Sequence, residues 1–486
     1  MSLVSETLFV LTICVSQLCA QAGIGLTLPI LKGVGSRFHV ANANSLSSCI
    51  AAYTVTLGAF ILTANRLGEI LGNKRVFVAG LAWSAAWSLI VGASFYSTRS
   101  LFITSRAFQG LGAALTLPTG LALLRTIRGQ GVHKAIVFTL YAAMSPIGLI
   151  LGAFAASVLV KLAWWPWAFW TLSIALTVLG VISCSTIPSP PRARNILSGA
   201  RVVTVAYDLP GMITSSTSLG SFGFAWSQAH EVGWSHAYIE VILFMSVVLA
   251  VLFIMIETCL APRPLIPYSA MSWEVCWILV ALGCGSSCFG IWIFYGWQFV
   301  EKLQSTPPLI TTACFAPIVV VGCSTAVITR FILRRVGLDV MFCVALLSIT
   351  IGGIIMATMQ IRQTYWEQLF PSILFMAWGF YTSLPVATLM ILTLVHKKHG
   401  GIAATLVCTV AHYGVGLGLG VAGTVEKSAM GGGKLTVHNR LRGHRAVYWT
   451  NVGLAGFGFV VCLAMTLASR LRLELRDNSR RVQRRR

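Results

Sequence analysis

Residues 46–95 read LSSCIAAYTVTLGAFILTANRLGEILGNKRVFVAGLAWSAAWSLIVGASF. Two apolar blocks, residues 46–64 and 76–95, flank a short segment that contains every charged residue of the stretch. An apolar block of about 20 residues is long enough to cross the hydrocarbon core of a bilayer as an α-helix. The stretch therefore predicts two membrane-spanning helices joined by a short charged loop.

The composition of the whole chain indicates the same class of protein. Of its 486 residues, 56% are hydrophobic and 10% are charged, whereas about 25% are charged in an ordinary soluble domain. This excludes a soluble enzyme and a disordered protein. The 13 cysteines are scattered and lie mostly inside apolar blocks, which predicts small apolar contacts rather than a disulfide framework. No set of His, Asp and Glu residues has catalytic or metal-ligand spacing in the loops, so we predict neither an enzyme nor a bound cofactor or metal.

Blocks of the same kind recur along the chain, and the predicted fold class is an all-α polytopic membrane protein. A stretch rich in proline and arginine, residues 187–206, separates the first six spans from the eight that follow. The fourteen predicted spans lie near residues 8–31, 46–64, 76–95, 100–124, 135–160, 164–186, 209–228, 237–257, 275–297, 309–331, 338–359, 368–395, 401–425 and 448–469.

The net charge of +22 has two readings, a nucleic-acid partner or a membrane topology signal. If the N-terminus is cytoplasmic, 23 of the 35 Lys and Arg residues lie in the cytoplasmic loops and tail, and 11 lie on the opposite side. Lys and Arg are enriched on the cytoplasmic side of membrane proteins. We therefore predict that both termini are cytoplasmic and that nucleic acid is not a partner. Five of the 11 opposing charges lie in one segment, residues 426–447.

The charged segment between spans two and three reads NRLGEILGNKR over residues 65–75. Its two glycines permit a tight turn, and its basic residues anchor the loop at the cytoplasmic surface. Its one carboxylate is expected to pair with a nearby arginine or with a helix N-terminus. The residues singled out are Asn65, Arg66, Gly68, Glu69, Gly72, Lys74 and Arg75.

Span four contains a charged residue, Arg106, within the sequence RAFQGLGAA over residues 106–114. A charge within a span costs about 2.5–3.5 kcal/mol on insertion scales, so it normally faces the bundle interior and has a function. The alternative is that this side chain, near the outer end of its span, reaches back to the interface.

Span five contains Pro146, Gly148 and Gly152, followed by Ala156. Small residues four positions apart share one face of a helix and let a second helix approach closely. The segment therefore predicts a tight helix–helix contact.

These three segments, in this order, resemble signature motifs of the major facilitator superfamily: motif A after span two, motif B in span four and the antiporter motif in span five. The fourteen spans resemble its second drug:proton antiporter family. Further stretches are similar to the fungal aminotriazole-resistance branch, namely QAGIG at 21–25, TVTLGAFIL at 54–62, WWPWAFW at 164–170, YW at 365–366, GIAATLV at 401–407 and the glycine-rich segment 414–426.

The resemblance implies the major facilitator fold, two six-helix bundles plus two extra central helices. It assigns residues 1–186 to the N-terminal bundle and residues 187–257 to a cytoplasmic linker and the two extra spans. Residues 258–469 form the C-terminal bundle, and residues 470–486 a basic cytoplasmic tail.

A proton antiporter needs a group that binds and releases a proton inside the membrane. The resemblance implicates the motif B arginine, Arg106, in proton transfer. His412 lies within span thirteen, and either a proton-exchanging or a merely hydrogen-bonded histidine explains it. Asp208 opens span seven, and it is either a helix N-terminal charge or a proton carrier. Glu240, Glu257, Glu274 and Asp339 also lie at predicted span ends, so none of these carboxylates lies clearly mid-span.

The leading hypothesis is a secondary active transporter that exports a small organic or toxic compound in exchange for protons by alternating access. The alternative is a non-transporting membrane sensor or receptor on the same fold, since Asn65 replaces the usual motif A glycine and a mid-span acid is missing. Polar or aromatic residues inside spans are candidates to line a substrate cavity, and the alternative is that some are interfacial anchors. The candidates are Gln21, Gln109, Trp226, Trp292, Tyr295 and Gln298.

The expected partners are a small-molecule substrate, protons and the lipid bilayer, with the chain acting as a monomer. We expect the protein in the plasma membrane, with the vacuolar membrane as the alternative.

Overall fold

The structure, a computed structural model, describes residues 3–40, 43–127, 132–188, 208–267, 271–332, 335–396, 400–431 and 436–485. This part of the chain is helical and contains no strand. The helices are numbered like the predicted spans. Two helices have two segments each: α1 (Leu3–Gly25 and Thr27–Arg37) and α10 (Pro308–Phe315 and Pro317–Ile332). The others are α2 (Ala43–Leu71), α3 (Asn73–Ala93), α4 (Arg99–Arg125), α5 (Val132–Leu162), α6 (Pro166–Thr186), α7 (Leu209–Val232), α8 (Ala237–Met255), α9 (Trp273–Gln298), α11 (Leu338–Ala357), α12 (Phe370–Leu394), α13 (Gly400–Met430) and α14 (Val437–Arg485).

Short π-helical turns lengthen three of these helices. Ile256–Leu260 continues α8, Phe299–Leu303 continues α9, and Tyr365–Leu369 precedes α12. The break within α10 falls at Pro317, which has no backbone N–H to continue the helical hydrogen bonds.

The predicted spans correspond to these helices one by one. Thirteen of them are long and apolar enough to cross a membrane. The remaining one, α7, has 24 residues and is long enough, but seven of them are Ser or Thr and lower its hydropathy. The linker predicted before α7 lies mostly in residues 189–207, outside the described residues.

The helices pack in two groups of six. Within α1–α6 the main pairs are α1 with α5, α2 with α4, and α3 with α4 and α6; within α9–α14 they are α9 with α13 and α14, and α11 with α12 and α14. The extra helices α7 and α8 pack on each other, and α7 also contacts α2 and α13. The two groups meet where α2 packs along α13 and where α5 meets α10.

The ends of the helices opposite the N-terminus, which form the predicted outer side, are closely packed. Every residue from 19 to 31 of α1 and from 285 to 301 of α9 is buried, whereas both helices are partly exposed nearer their first residues. A hydrogen bond of 2.8 Å between the hydroxyls of Ser157 and Thr312 joins α5 to α10 in this region. The structure is therefore closed on the predicted outer side.

Several helices continue beyond the predicted ends of their spans. The segment 65–75 is mostly helical, because α2 continues to Leu71 and α3 begins at Asn73. Only Gly72 forms the turn, with a φ of +93° that favours glycine. α9 and its π turn continue to Leu303, and α13 continues to Met430.

The two extensions of α9 and α13 carry buried acids. Glu301 is 8% exposed and Glu426 is 1% exposed. Both acids lie in the last turns of their helices and not mid-span, and the sequence did not indicate that they are buried.

Candidate functional site

Arg106 is buried at the centre of helices α1, α2 and α4. Its side chain is 0% exposed, which excludes the alternative that it reaches back to the interface. It donates hydrogen bonds to the carbonyl of Gly23 at 2.9 Å, to the carbonyl of Cys49 at 3.2 Å and to the side-chain oxygen of Gln109. The guanidinium carbon also lies 4.5 Å from the centre of the Tyr53 ring. The Phe169 ring centre lies at 5.6 Å, so three carbonyl groups and two aromatic rings compensate the charge, with no carboxylate within salt-bridge distance in the described part.

Gln109 belongs to the same network. It is 2% exposed, and its amide nitrogen donates to the hydroxyl of Ser88 in α3 at 2.6 Å. Its position ties α3 to α4 inside the first helix group. As a substrate contact it stays a prediction.

Gln21 and His412 lie together between the two helix groups. The amide nitrogen of Gln21 in α1 is 3.2 Å from Nε2 of His412 in α13. Nδ1 of His412 is 2.9 Å from the carbonyl of Cys408, so Nδ1 carries a proton and Nε2 accepts from Gln21. The pair is a direct polar contact across the interface between the groups.

The span-five motif packs α5 against α1. A Cβ atom on Gly148 would lie 2.4 Å from the carbonyl oxygen of Leu18, and one on Gly152 would lie 2.5 Å from that of Ala22. Pro146 lies inside a continuous α5 and faces Gly322 of α10, where a Cβ atom would approach the proline ring to 2.7 Å. The motif therefore contacts both helix groups.

The motif A segment joins α2 and α3 to their surroundings. Arg66 forms an ion pair of 2.8 Å with Glu69 and donates to the carbonyl of Arg263, in the segment before α9, at 2.7 Å. Lys74 donates to the carbonyl of Cys184 at the end of α6 at 2.9 Å. Glu69 thus pairs with an arginine, the first of the two expected partners.

Asp208 is the N-cap of α7. Its side chain accepts from the backbone N–H of Gly211 at 3.1 Å, and the residue has a φ of +55°. It is 2% exposed and lies within hydrogen-bonding reach of Glu257. This geometry accounts for Asp208 as a helix N-terminal charge, and proton carriage by it stays a prediction.

The other substrate candidates lie in α7 and α9. Trp226 stacks on Phe222 in α7, with ring centres 5.6 Å apart. Trp292 is fully buried and donates to the hydroxyl of Ser372 at 2.8 Å. Gln298 is also fully buried, and neither of its amide atoms has a hydrogen-bond partner in the described part of the chain.

A polar network that the sequence did not reveal surrounds Tyr295. The Tyr295 hydroxyl donates to Oε2 of Glu426 at 2.9 Å, and Nδ1 of His444 lies 4.0 Å from Oε1 of Glu426. Nearby, the indole N–H of Trp297 donates to Glu301 at 2.9 Å. The sequence signal was an acidic residue shortly after the predicted end of a span: Glu301 after span nine and Glu426 after span thirteen.

A cavity of about 780 Å³ lies elsewhere, among α9, α11, α12 and α14. It is lined by Trp273, Trp277, Glu274 and Asp339, among other residues, and by none of the six substrate candidates.

Comparison with known proteins identifies the family. Residues 13–421 match the Major Facilitator Superfamily. The "Low affinity ammonium transporter" of Saccharomyces cerevisiae is 40% identical, over 95% of this chain and 88% of that protein. "Efflux pump terJ" of Aspergillus terreus is 34% identical, over 96% and 89%. The "Aminotriazole resistance protein" of Saccharomyces cerevisiae is 32% identical, over 94% and 83%.

Experimental structures share the fold. The peptide transporter POT in complex with sulfate matches with a TM-score of 0.64 and 12% identity, covering 95% of this chain and 94% of that chain. At this identity the likeness concerns the fold alone. The chain is therefore a multi-pass membrane transporter that belongs to the major facilitator superfamily, and within it resembles the fungal efflux and aminotriazole-resistance proteins.

Proposed function

We propose that this transporter exports a small organic compound in exchange for protons, by alternating access between the two helix groups. The single observation that carries the proposal is the partly buried Gln21–His412 contact, which joins α1 to α13 across the interface between the groups. In this fold a polar contact at that interface is where a substrate would compete for partners. Efflux relatives at 31–34% identity support the direction of transport.

The closed outer side defines the starting state of the proposed cycle. The Ser157–Thr312 hydrogen bond and an ion pair between Arg99 and Glu231 hold the outer ends together. Opening there requires these contacts to break while α2 moves along α13 and α5 along α10. We propose that residues 1–186 and 258–469 move as two bundles connected by residues 187–257, with the tail 470–486 and the N-terminus in the cytoplasm.

Arg106 has an electrostatic role in this proposal. Arginine does not lose its proton in proteins, so Arg106 acts on coupling through its fixed charge and not as the proton carrier. His412 is placed to lose its contact with Gln21 when the groups separate, and Asp208 caps α7 at the predicted cytoplasmic side.

Accumulation of 3-aminotriazole in an efflux-deficient yeast tests the proposal. Cells that express the chain at the plasma membrane are expected to accumulate less compound than empty-vector cells, and a proton uncoupler is expected to abolish the difference. Equal accumulation across a broad panel of toxic compounds, with expression verified at the plasma membrane, would refute export. That result would favour the sensor alternative.

A second candidate is transport of a small cation such as ammonium. The relative named as an ammonium transporter is 40% identical, and the buried Glu426 and Glu301 would suit a cation. Growth of an ammonium-transport-deficient yeast on limiting ammonium separates this candidate from export of an organic compound. Rescue of growth without any change in aminotriazole accumulation would favour the cation.

A further inference from the structure

We propose that Glu426, held between Tyr295 and His444, is the group that binds and releases the exchanged proton. This inference rests on the proposed proton exchange. It assigns the proton-binding role to a residue that lies outside the three sequence motifs. The step is a simple one: a proton from the outer solution adds to the carboxylate, and the same O–H bond breaks when the proton leaves on the cytoplasmic side.

Three helices meet at Glu426. Tyr295 of α9, Glu426 of α13 and His444 of α14 are all at most 2% exposed. The Tyr295 hydroxyl donates to the carboxylate at 2.9 Å, and the Tyr295 and His444 rings meet edge to face with centres 5.4 Å apart. Nδ1 of His444 is 3.0 Å from the carbonyl of Arg440, so this nitrogen carries the proton of a neutral ring.

The charge of Glu426 is balanced by polar and cationic groups around it. A buried carboxylate is costly unless it is paired and hydrogen-bonded. The anion is compensated by the Tyr295 hydroxyl and by two cations within electrostatic reach of the cluster, Lys302 after α9 and Arg440 of α14. Lys427, next in sequence, is directed elsewhere and donates to the backbone of Glu231. The Tyr295 hydroxyl can donate to an ionised or a protonated carboxyl, so proton binding at Glu426 does not require this contact to break.

Several buried polar atoms near the cluster have no partner in the described part of the chain. They are Nε2 of His444, the hydroxyl of Tyr448 one turn further along α14, and both amide atoms of Gln298. Buried polar atoms are normally paired, and those that are not indicate a ligand or a water. Water molecules bound to these atoms would provide a path for a proton to Glu426.

Glu301 extends the cluster towards the first helix group. One of its oxygens accepts from Trp297 and the other has no partner in the described residues, while Lys32 of α1 and Lys302 lie within electrostatic reach. Because residues 285–301 are wholly buried in the closed state, opening of the outer side would expose Glu301 and then Glu426. This order couples protonation to the opening of the outer side.

Infrared difference spectroscopy of the purified full-length protein tests the proposal without any substrate. When the buffer is changed from alkaline to acidic pH, a carbonyl band of a protonated carboxylic acid is expected in the wild type. The Glu426→Gln variant is expected to lose this band, and Glu240→Gln, a change of an exposed acid at the start of α8, is expected to keep it. Tyr295→Phe is expected to shift the pH at which the band appears. An unchanged spectrum in Glu426→Gln would overturn the proposal.

Transport in proteoliposomes gives the second readout, with labelled 3-aminotriazole as the probe. Glu426→Gln is expected to lose accumulation driven by a pH gradient but to keep exchange of internal for external aminotriazole, because exchange needs no net proton movement. Loss of both with a normal melting temperature would contradict the assignment. If the wild type does not transport aminotriazole and the infrared band still depends on Glu426, the proton site stands and the proposed substrate fails.

Discussion

The two helix groups bury opposite charges, and they compensate them by different means. Among the described residues of α1–α6, the buried charged side chain is Arg106, whereas in α9–α14 the buried charges are Glu301 and Glu426. Arg106 is held mainly by backbone carbonyls of α1 and α2, which cannot change their charge. The acids are held by a phenol, an indole and a histidine ring, which tolerate a neutral or an ionised carboxyl. The comparison indicates a fixed charge in one group and an exchangeable one in the other.

The largest effect is expected when the fixed charge is removed. Arg106→Ala removes the Arg106 donors from the carbonyls of Gly23 and Cys49 and from the amide of Gln109. The Gly23 carbonyl keeps the Thr27 hydroxyl as a donor, and a buried group left without any partner costs about 1–3 kcal/mol. We expect a large drop in the melting temperature and loss of export. Thermal unfolding in detergent and the yeast accumulation assay measure the two effects.

The conservative variant Arg106→Lys separates charge from geometry. Lysine keeps the charge but cannot reach the three acceptors with a planar fork, so export that survives in this variant would show that charge is the requirement. Lys161→Ala, at an exposed position on α5, is the control and is expected to change stability by less than about 0.5 kcal/mol. Normal export by Arg106→Ala would remove Arg106 from coupling.

The next effect concerns close helix contacts, which both groups use. A methyl group on Gly152 would approach the carbonyl of Ala22 to 2.5 Å, and one on Gly379 of α12 would approach that of Ala345 to 2.5 Å. Overpacking of this kind costs about 1–3 kcal/mol, so Gly152→Ala and Gly379→Ala are both expected to lower the melting temperature.

Gly220 of α7 provides the matched control, because nothing lies within 4 Å of its added Cβ atom. Gly220→Ala is expected to be neutral or slightly stabilising. If the Gly152 and Gly379 variants lose export but keep the melting temperature of the wild type, the helices that meet at these glycines move past each other during the transport cycle.

The difference between the groups also explains what the sequence could predict. Arg106 was identifiable because it is a charged residue inside an apolar block, and a charge there is a strong signal. Glu301 and Glu426 were missed because hydropathy ends a span at the first charged residues, while the helices continue to Leu303 and Met430. The helix count and order followed from the apolar blocks. Tyr295 and His444 are 149 positions apart in the sequence, so only tertiary packing brings them together around Glu426.

A smaller effect is expected at His412, and it distinguishes a proton-exchanging histidine from one that is only hydrogen-bonded. His412→Gln keeps a polar side chain that can bond Gln21 but cannot titrate. If protons are exchanged at Glu426, this variant is expected to keep proton-driven export within a few-fold of the wild type. Transport of aminotriazole at several pH values measures it, with His412→Leu as the comparison that also removes the hydrogen bond. Loss of the pH dependence in His412→Gln would move the exchangeable site from the C-terminal acids to the interface.

The smallest expected effect is at the outer closure, where a partly exposed ion pair joins α4 of the first group to the extra helix α7, which Lys427 in turn joins to α13. The Arg99 and Glu231 side chains are 24% and 12% exposed, and pairs of this kind contribute about 0.2–1 kcal/mol. Glu231→Gln is therefore expected to favour the outward-open state by at most about fivefold. Labelling of a cysteine introduced at Ser157 by an impermeant maleimide, in a cysteine-depleted background, measures the change.

Raised salt in the wild type should reproduce part of the Glu231→Gln effect, because ions screen a partly exposed pair. Glu240→Gln is expected to leave the labelling rate unchanged. If Glu231→Gln slows the labelling of residue 157, the pair does not hold the outer side closed. In that case protonation of Glu301 and Glu426 would not depend on breaking this contact first.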